Sequence, residues 1–167
     1  MTAGDALSDL DLSDEQTART VLALQREAYA VEATLIGSDG IPALSEPLHA
    51  LRAAGEAWLG AFDDSGLCGA IAWRELADGT VDICRLVVAP RAFRRGVASR
   101  LLDALDGRFP ARAMIVSTGS ANEPAITLYR RRGFQPVRQR EAAPGLYVTE
   151  LERPAAAARE PRGVRRG

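Results

Sequence analysis

The stretch Leu86-Val87-Val88-Ala89-Pro90-Arg91-Ala92-Phe93-Arg94-Arg95-Gly96-Val97-Ala98-Ser99-Arg100-Leu101-Leu102 sets an apolar strand before a basic loop, a glycine and a helix. The first amides of a helix have no carbonyl partner within it, and the helix dipole favours an anion there. The segment therefore reads as a phosphate site. Gly96 permits a backbone approach that a side chain would block, Ala98 keeps the next turn slim, and Arg94 and Arg95 add positive charge. The loop is too short for a Walker A cradle and lacks its Gly-Lys-Ser/Thr ending. No G-x-G-x-x-G is present, which argues against a dinucleotide fold. Taken alone, Arg-Arg-Gly-Val-Ala also fits an ordinary surface loop.

Upstream, Ser13-Asp14-Glu15-Gln16 contains the S-x-x-Q of a capping box, predicting a helix to about Ala33. Val21, Leu24, Ala28, Val31 and Leu35 recur at spacings of three and four, one amphipathic stripe. Residues 1–6 read as loose, and Leu7 to Leu12 as a short strand or a turn. Gly37 to Pro42 reads as a loop, and a shorter helix runs from Ser45-Glu46-Pro47 to about Ala54, with Gly55 as its stop. The pattern then changes to strands over Glu56–Phe62, Leu67–Leu76 and Thr80–Val88, joined by Asp63-Asp64-Ser65-Gly66 and Asp78-Gly79 turns. The sheet thus begins as an antiparallel meander. Downstream, a helix from Gly96 to about Asp106 precedes a short buried strand, Ala113–Ser117. Phe134–Arg140 and Leu146–Leu151 read as two closing strands.

Between them lies a second segment, Ser117-Thr118-Gly119-Ser120-Ala121-Asn122-Glu123-Pro124-Ala125-Ile126-Thr127-Leu128-Tyr129-Arg130-Arg131-Arg132-Gly133-Phe134. A strand end passes through small polar residues into a helix from Ala121 to about Arg132, stopped by Gly133. Asn122 is the only asparagine in the chain and stands at the helix start, where an N-cap is the plain reading. Tyr129 follows two helical turns later on the same face, either as a core aromatic or as a hydroxyl with chemistry to do.

The chain has 167 residues and a mass of 17.9 kDa, which suits one domain over 1–153 followed by a mobile Arg-, Ala- and Pro-rich tail over 154–167. With 47% hydrophobic and 26% charged residues, neither wholesale disorder nor a fibre fits. No apolar run reaches membrane-span length, and the acidic start carries no secretory signal. Cys68 and Cys84 have no metal-site spacing around them and read as reduced core residues, which predicts a cytoplasmic protein with no metal. All 21 basic residues are Arg, and 30 residues are Ala, a bias of the kind a GC-rich bacterial genome imposes. Residues 1–64 hold 12 acids and 3 Arg, net −9, while residues 65–167 hold 10 acids and 18 Arg, net +8. Such halves suggest two ligands of opposite sign.

Together the two segments resemble the GNAT superfamily of acyl-CoA-dependent N-acyltransferases. The first resembles that family's acyl-CoA pyrophosphate motif and the second its other cofactor motif, with Asn122 26 residues after Gly96. In order of elements the resemblance covers about residues 56–151. One departure is that the family commonly has Arg or Gln three residues before the glycine, where this chain has Phe93 and places Arg94 one step later.

The resemblance implies an α+β, GNAT-like fold: a mixed, mostly antiparallel sheet of six or seven strands with about four helices and splayed central strands. It implies acetyl-CoA as co-substrate, bound by Leu86, Val87, Val88, Arg94, Arg95, Gly96, Val97, Ala98, Asn122 and Tyr129. The reaction implied is direct acetyl transfer to a small-molecule or peptide amine, with Tyr129 as general acid and an amide near Val87 polarising the thioester carbonyl. Asp82, Glu75 and Glu32 are alternatives for the base, and Tyr29 and Glu32 are expected to meet the acceptor. The competing reading is a non-catalytic acyl-CoA-binding regulatory module. With nine aromatics and no evident stacking surface, nucleic acid is not an expected partner, nor is a membrane. A homodimer is compatible with the resemblance.

Overall fold

Ala18, Val21, Leu22 and Leu24 lie buried along one side of a long first helix, so the start of the apolar stripe anchors the N-terminal region, whereas Leu35 at its far end is 53% exposed. The computed structural model describes residues 6–37 and 44–156. The expectations for residues 1–5, for most of the Gly37–Pro42 loop and for the tail beyond Ala156 lie outside the described residues. The chain order is β1 (Ala6–Leu10), α1 (Glu15–Ile36), α2 (Leu48–Ala53), β2 (Ala57–Asp63), β3 (Gly66–Glu75), β4 (Val81–Val88), α3 (Val97–Arg108), β5 (Met114–Gly119), α4 (Glu123–Arg131), β6 (Gln135–Ala143) and β7 (Leu146–Arg153). A 3-10 turn at Pro90–Ala92 precedes α3.

The seven strands form one sheet in the order β1-β2-β3-β4-β5-β7-β6. Every neighbouring pair is antiparallel except β4 and β5, which α3 connects as a crossover. On one face α3 and α4 cover a core built on Ile71, Val81, Ile83, Leu101, Met114 and Leu151. On the other, α1 and α2 cover Trp58, Ala70, Ala72 and Val87.

Three local expectations need correction. The cap of α1 is Asp14, not Ser13: the Asp14 carboxylate accepts from the Thr17 N–H at 3.0 Å, while Ser13 bonds back to Asp11 at 2.6 Å. A carboxylate at that place also complements the helix dipole. The helix then runs past Ala33 to Ile36 and ends on Gly37, whose left-handed φ of 68° lets its N–H reach the Ala33 and Thr34 carbonyls. Strand β5 extends past Ser117 to Gly119 because Thr118 and Gly119 still pair with Thr149 and Val148 of β7.

Helix α3 lies unusually close to the sheet. A Cβ on Gly69 of β3 would sit 2.6 Å from Val97 Cγ1 and 3.3 Å from Leu101 Cδ1. Gly69→Ala should therefore destabilise the fold by about 1–3 kcal/mol. Combined with Val97→Ala, it should cost less than the two single changes added, because the opposing methyl is gone. Denaturant titration of the three variants checks this, and a Gly69→Ala protein as stable as the parent would contradict the close approach.

Candidate active site in the split between β4 and β5

Strands β4 and β5 stay paired for only three positions: Val81 with Met114, Asp82 with Ile115, Ile83 with Val116. The reason lies in β4's other neighbour. Ala72 of β3 pairs with Arg85 and Trp73 pairs with Ile83, leaving Cys84 as the extra residue of a β-bulge. A bulge bends its strand and shifts side-chain parity. Before it, Val81 and Ile83 face the α3 and α4 core; after it, Val87 faces the α1 core. Bent in this way, β4 separates from β5 and exposes backbone inside the sheet.

The ladder bonds show which backbone groups are exposed. Val81 donates across to the Ala113 carbonyl at 2.9 Å, and Ala89 donates the other way, to Cys68 of β3, at 2.8 Å. Counting through the bulge, Leu86 and Val88 turn their N–H groups into the split, and Val87 turns its own into β3. Of the amides near Val87, those of Leu86 and Val88 are therefore the ones that face the split.

The split opens into a cavity of about 620 Å³. Its walls include Leu86, Val87 and Val88 from β4, and Arg94, Gly96, Val97 and Ala98 at the start of α3. Opposite stand Asn122 and Tyr129 of the α4 segment, and α1 contributes Tyr29 and Glu32. The loop enters α3 through Arg94 at φ 63° and Gly96 at φ 75°, both left-handed, which only glycine adopts readily. Arg95 does not line this cavity. Its side chain is 58% exposed and lies 3.7 Å from Asp63, so Arg94 is the arginine of the pair that faces the cleft.

Asn122 caps α4, its side-chain oxygen accepting from the Ala125 N–H at 3.3 Å. Tyr129 is buried, with its ring edge-on to Phe134 at 5.6 Å. Burial, with Tyr29 and Glu32 nearby, pushes its hydroxyl pKa well above that of free tyrosine, so it holds its proton at neutral pH.

A second cavity, of about 590 Å³, adjoins the first and shares Tyr29, Ile83, Cys84, Arg85 and Ser117 with it. Asp82 lines this second space; burial pushes its carboxyl up against the pull of Arg74. Glu75 lines neither cavity and is held by Arg112 at 3.0 Å.

The sequence pattern did not point to Arg85, which governs this wall. Its guanidinium bonds Glu56 at 2.7 Å, Glu46 at 2.6 and 3.0 Å, and Gln25 at 2.7 Å. It also lies over the Trp58 ring at 5.6 Å. One arginine thus ties together α1, the lead into α2, β2 and β4. A signal was present: an arginine inside the apolar run Val81–Val88, and a glutamine inside the stripe of α1. Buried charge requires partners. Burial disfavours the charge on Glu46, yet the Arg85 and Gln25 hydrogen bonds outweigh it and hold its carboxyl below the usual value.

Residues 21–134 match the acetyltransferase (GNAT) family. The chain belongs to that family. As a GNAT protein it has a curated relative 38% identical over 133 residues, the UPF0157 protein YqkA of Bacillus subtilis (strain 168). That match covers 79% of this chain and only 38% of the relative, so the chain spans well under half of that protein's length. Its fold is similar to the ribosomal-protein-S18-alanine N-acetyltransferase of Escherichia coli, with a TM-score of 0.72 at 14% identity, covering 98% of this chain and 99% of that one. It is also similar to the PaiA N-acetyltransferase of Thermoplasma acidophilum, solved with coenzyme A, with a TM-score of 0.68 at 18% identity, covering 87% and 97%. The mixed seven-stranded sheet with splayed central strands is the GNAT fold. Among the described residues no group of three or more His, Cys, Asp or Glu side chains is arranged to hold a metal ion, and no helix is long and apolar enough to cross a membrane.

Removing Arg85 leaves Glu46 and Glu56 buried without their cation. Arg85→Met should destabilise the fold by about 3–5 kcal/mol at neutral pH. The deficit should shrink as pH falls, because the stranded carboxylates can then take up protons, whereas the parent loses its Arg85-linked stability as Glu46 is protonated below its depressed pKa. Thermal melts of both proteins between about pH 4 and 8 check the convergence; a constant gap would contradict it.

Proposed function

We propose that this GNAT protein transfers an acetyl group from acetyl-CoA directly to a primary amine. The observation that carries the reading is the buried Tyr129 hydroxyl, set in a cleft with strand backbone on one side and the start of a helix at its end. Two features of the chain fit such a donor. The Leu86 and Val88 amides can take an extended, amide-bearing arm as an added strand. The first amides of α3, with Arg94 beside them, can take its pyrophosphate. Asn122 still has an N–H to offer that arm, since a primary amide carries two. A similar protein solved with coenzyme A supports the choice of donor.

When bound, acetyl-CoA supplies the acetyl group as a thioester with a sulfur leaving group. The residues of the chain account for the rest. Tyr129, protonated at neutral pH, gives its proton to the departing sulfur. An amide of β4 beside the split hydrogen-bonds the carbonyl oxygen as charge builds there. The second cavity brings the amine to the shared wall at Tyr29, Cys84 and Ser117. Its charged lining, Glu46, Glu56 and Asp82 against Arg74 and Arg85, leaves an excess of one negative charge, which suits a cationic acceptor over an anionic one.

Three measurements test the reading. An amine panel incubated with acetyl-CoA should release free CoA thiol; binding of acetyl-CoA with no release from any amine would favour the non-catalytic module instead. Tyr129→Phe should lower kcat by roughly 10–100-fold while acetyl-CoA affinity stays within about threefold, because the hydroxyl acts mainly in the transition state. Gly96→Val forces a branched residue into a left-handed φ of 75° at the head of α3 and should weaken acetyl-CoA binding at least about tenfold by calorimetry.

A further inference from the structure

Three carboxylates compete to take the proton from the amine, and the fold separates them. Glu75 faces neither cavity and is paired with Arg112. Asp82 lines the second cavity but not the cleft that holds Tyr129, and it sits in register with Arg74 of β3. Glu32 is the one of the three that shares a cavity with Tyr129. It stands three residues after Tyr29 on α1, and Tyr29 lines both cavities, so helix geometry places Glu32 next to the passage between them. Its side chain is half-buried and faces the Asn122 side chain and the Gly119 N–H across the split, without a hydrogen bond formed to either. Burial pushes its carboxyl up, against the opposing pull of those two donors. Tyr29, Tyr129, Cys84, Arg85 and Arg94 are the other ionisable groups around the same space.

We infer that Glu32 is the catalytic base, receiving the proton of an acceptor amine that arrives past Tyr29. This rests on the acetyltransferase reading above. In the step, an ammonium N–H bond breaks and its proton passes to a Glu32 oxygen, leaving a neutral amine. The freed nitrogen lone pair forms the C–N bond as the C–S bond breaks. The sulfur takes the Tyr129 proton, Tyr129 recovers one from the new amide nitrogen, and Glu32 returns its own to solvent. No oxidant, reductant or metal is required for the balance.

The placement differs from a strand-borne base in a useful way: the group that deprotonates the acceptor belongs to the helix that flanks the acceptor's route. A base is needed only where there is a proton to remove. The test therefore compares the best alkylamine from the panel, protonated near neutral pH, with the O-alkylhydroxylamine of the same carbon skeleton, which is already neutral there. Glu32→Gln should lower kcat/KM for the alkylamine at least about 30-fold and for the O-alkylhydroxylamine less than about threefold. Calorimetry on the same variant should find acetyl-CoA affinity within about threefold of the parent, and Glu32→Asp should recover part of the alkylamine rate. Equal losses with both amines, or a large loss of acetyl-CoA affinity, would assign Glu32 to holding the cleft together and overturn the base. Parent turnover with an unaffected Glu32→Gln would also overturn it while leaving the acetyltransferase reading standing. A parent protein that acetylates neither amine removes both.

Discussion

One extra residue in one strand organises this protein. The bulge at Cys84 bends β4 away from β5 after three paired positions. In an ordinary sheet those strands would continue side by side and satisfy each other's backbone. Here the Leu86 and Val88 amides point into open space within the molecule, which costs stability until something with matching carbonyls fills the gap. The helices then gain their roles by position. The start of α3 lies at one end of the gap and α4 walls it opposite β4, so a helix N-terminus and a buried phenol face the same space.

The same bulge also shapes the reverse face. By shifting parity it sends Arg85 toward α1 and α2, where its donors meet Glu46, Glu56 and Gln25. The wall of the second cavity is thus built on an ion network rather than on apolar packing alone. Such networks fix geometry more reliably than they add stability, because desolvation cancels much of the attraction. The second cavity therefore has a charged wall, part of which it shares with the cleft in the β4–β5 split.

Both segments that line the cleft were legible as strand-to-helix turns in the sequence because each is local: strand, turn, glycine or asparagine, helix. Their periodicity and punctuation survive without knowledge of the partner strands. The meander was legible for a similar reason, as two-residue turns at Asp64-Ser65 are short-range chemistry. What escaped was set by competition or by distance. Ser13 and Asp14 both suit a cap, and the contest was decided by Asp11 engaging the serine. Arg94 and Arg95 look equivalent in a string, yet adjacent side chains of a turning backbone diverge. Thr118 and Gly119 read as loop because their pairing partners lie some thirty residues away on β7. The bulge carries no glycine, and only an arginine stranded in an apolar run hinted that the parity of β4 changes.

The brevity of the β4–β5 pairing has a mechanical side. Three register positions join a four-stranded half, β1 to β4, to a three-stranded half, β5 to β7, whereas every other pairing has at least five. The sheet is a pair of plates with a short seam, bridged by one apolar cluster in which Leu101, Met114, Tyr129 and Leu151 take part. Opening that falls short of global unfolding is expected to begin at such a seam, where few ladder bonds must break. A ligand lying in the split would act as a splint along it, so resistance to proteases and to heat becomes tied to the supply of that ligand.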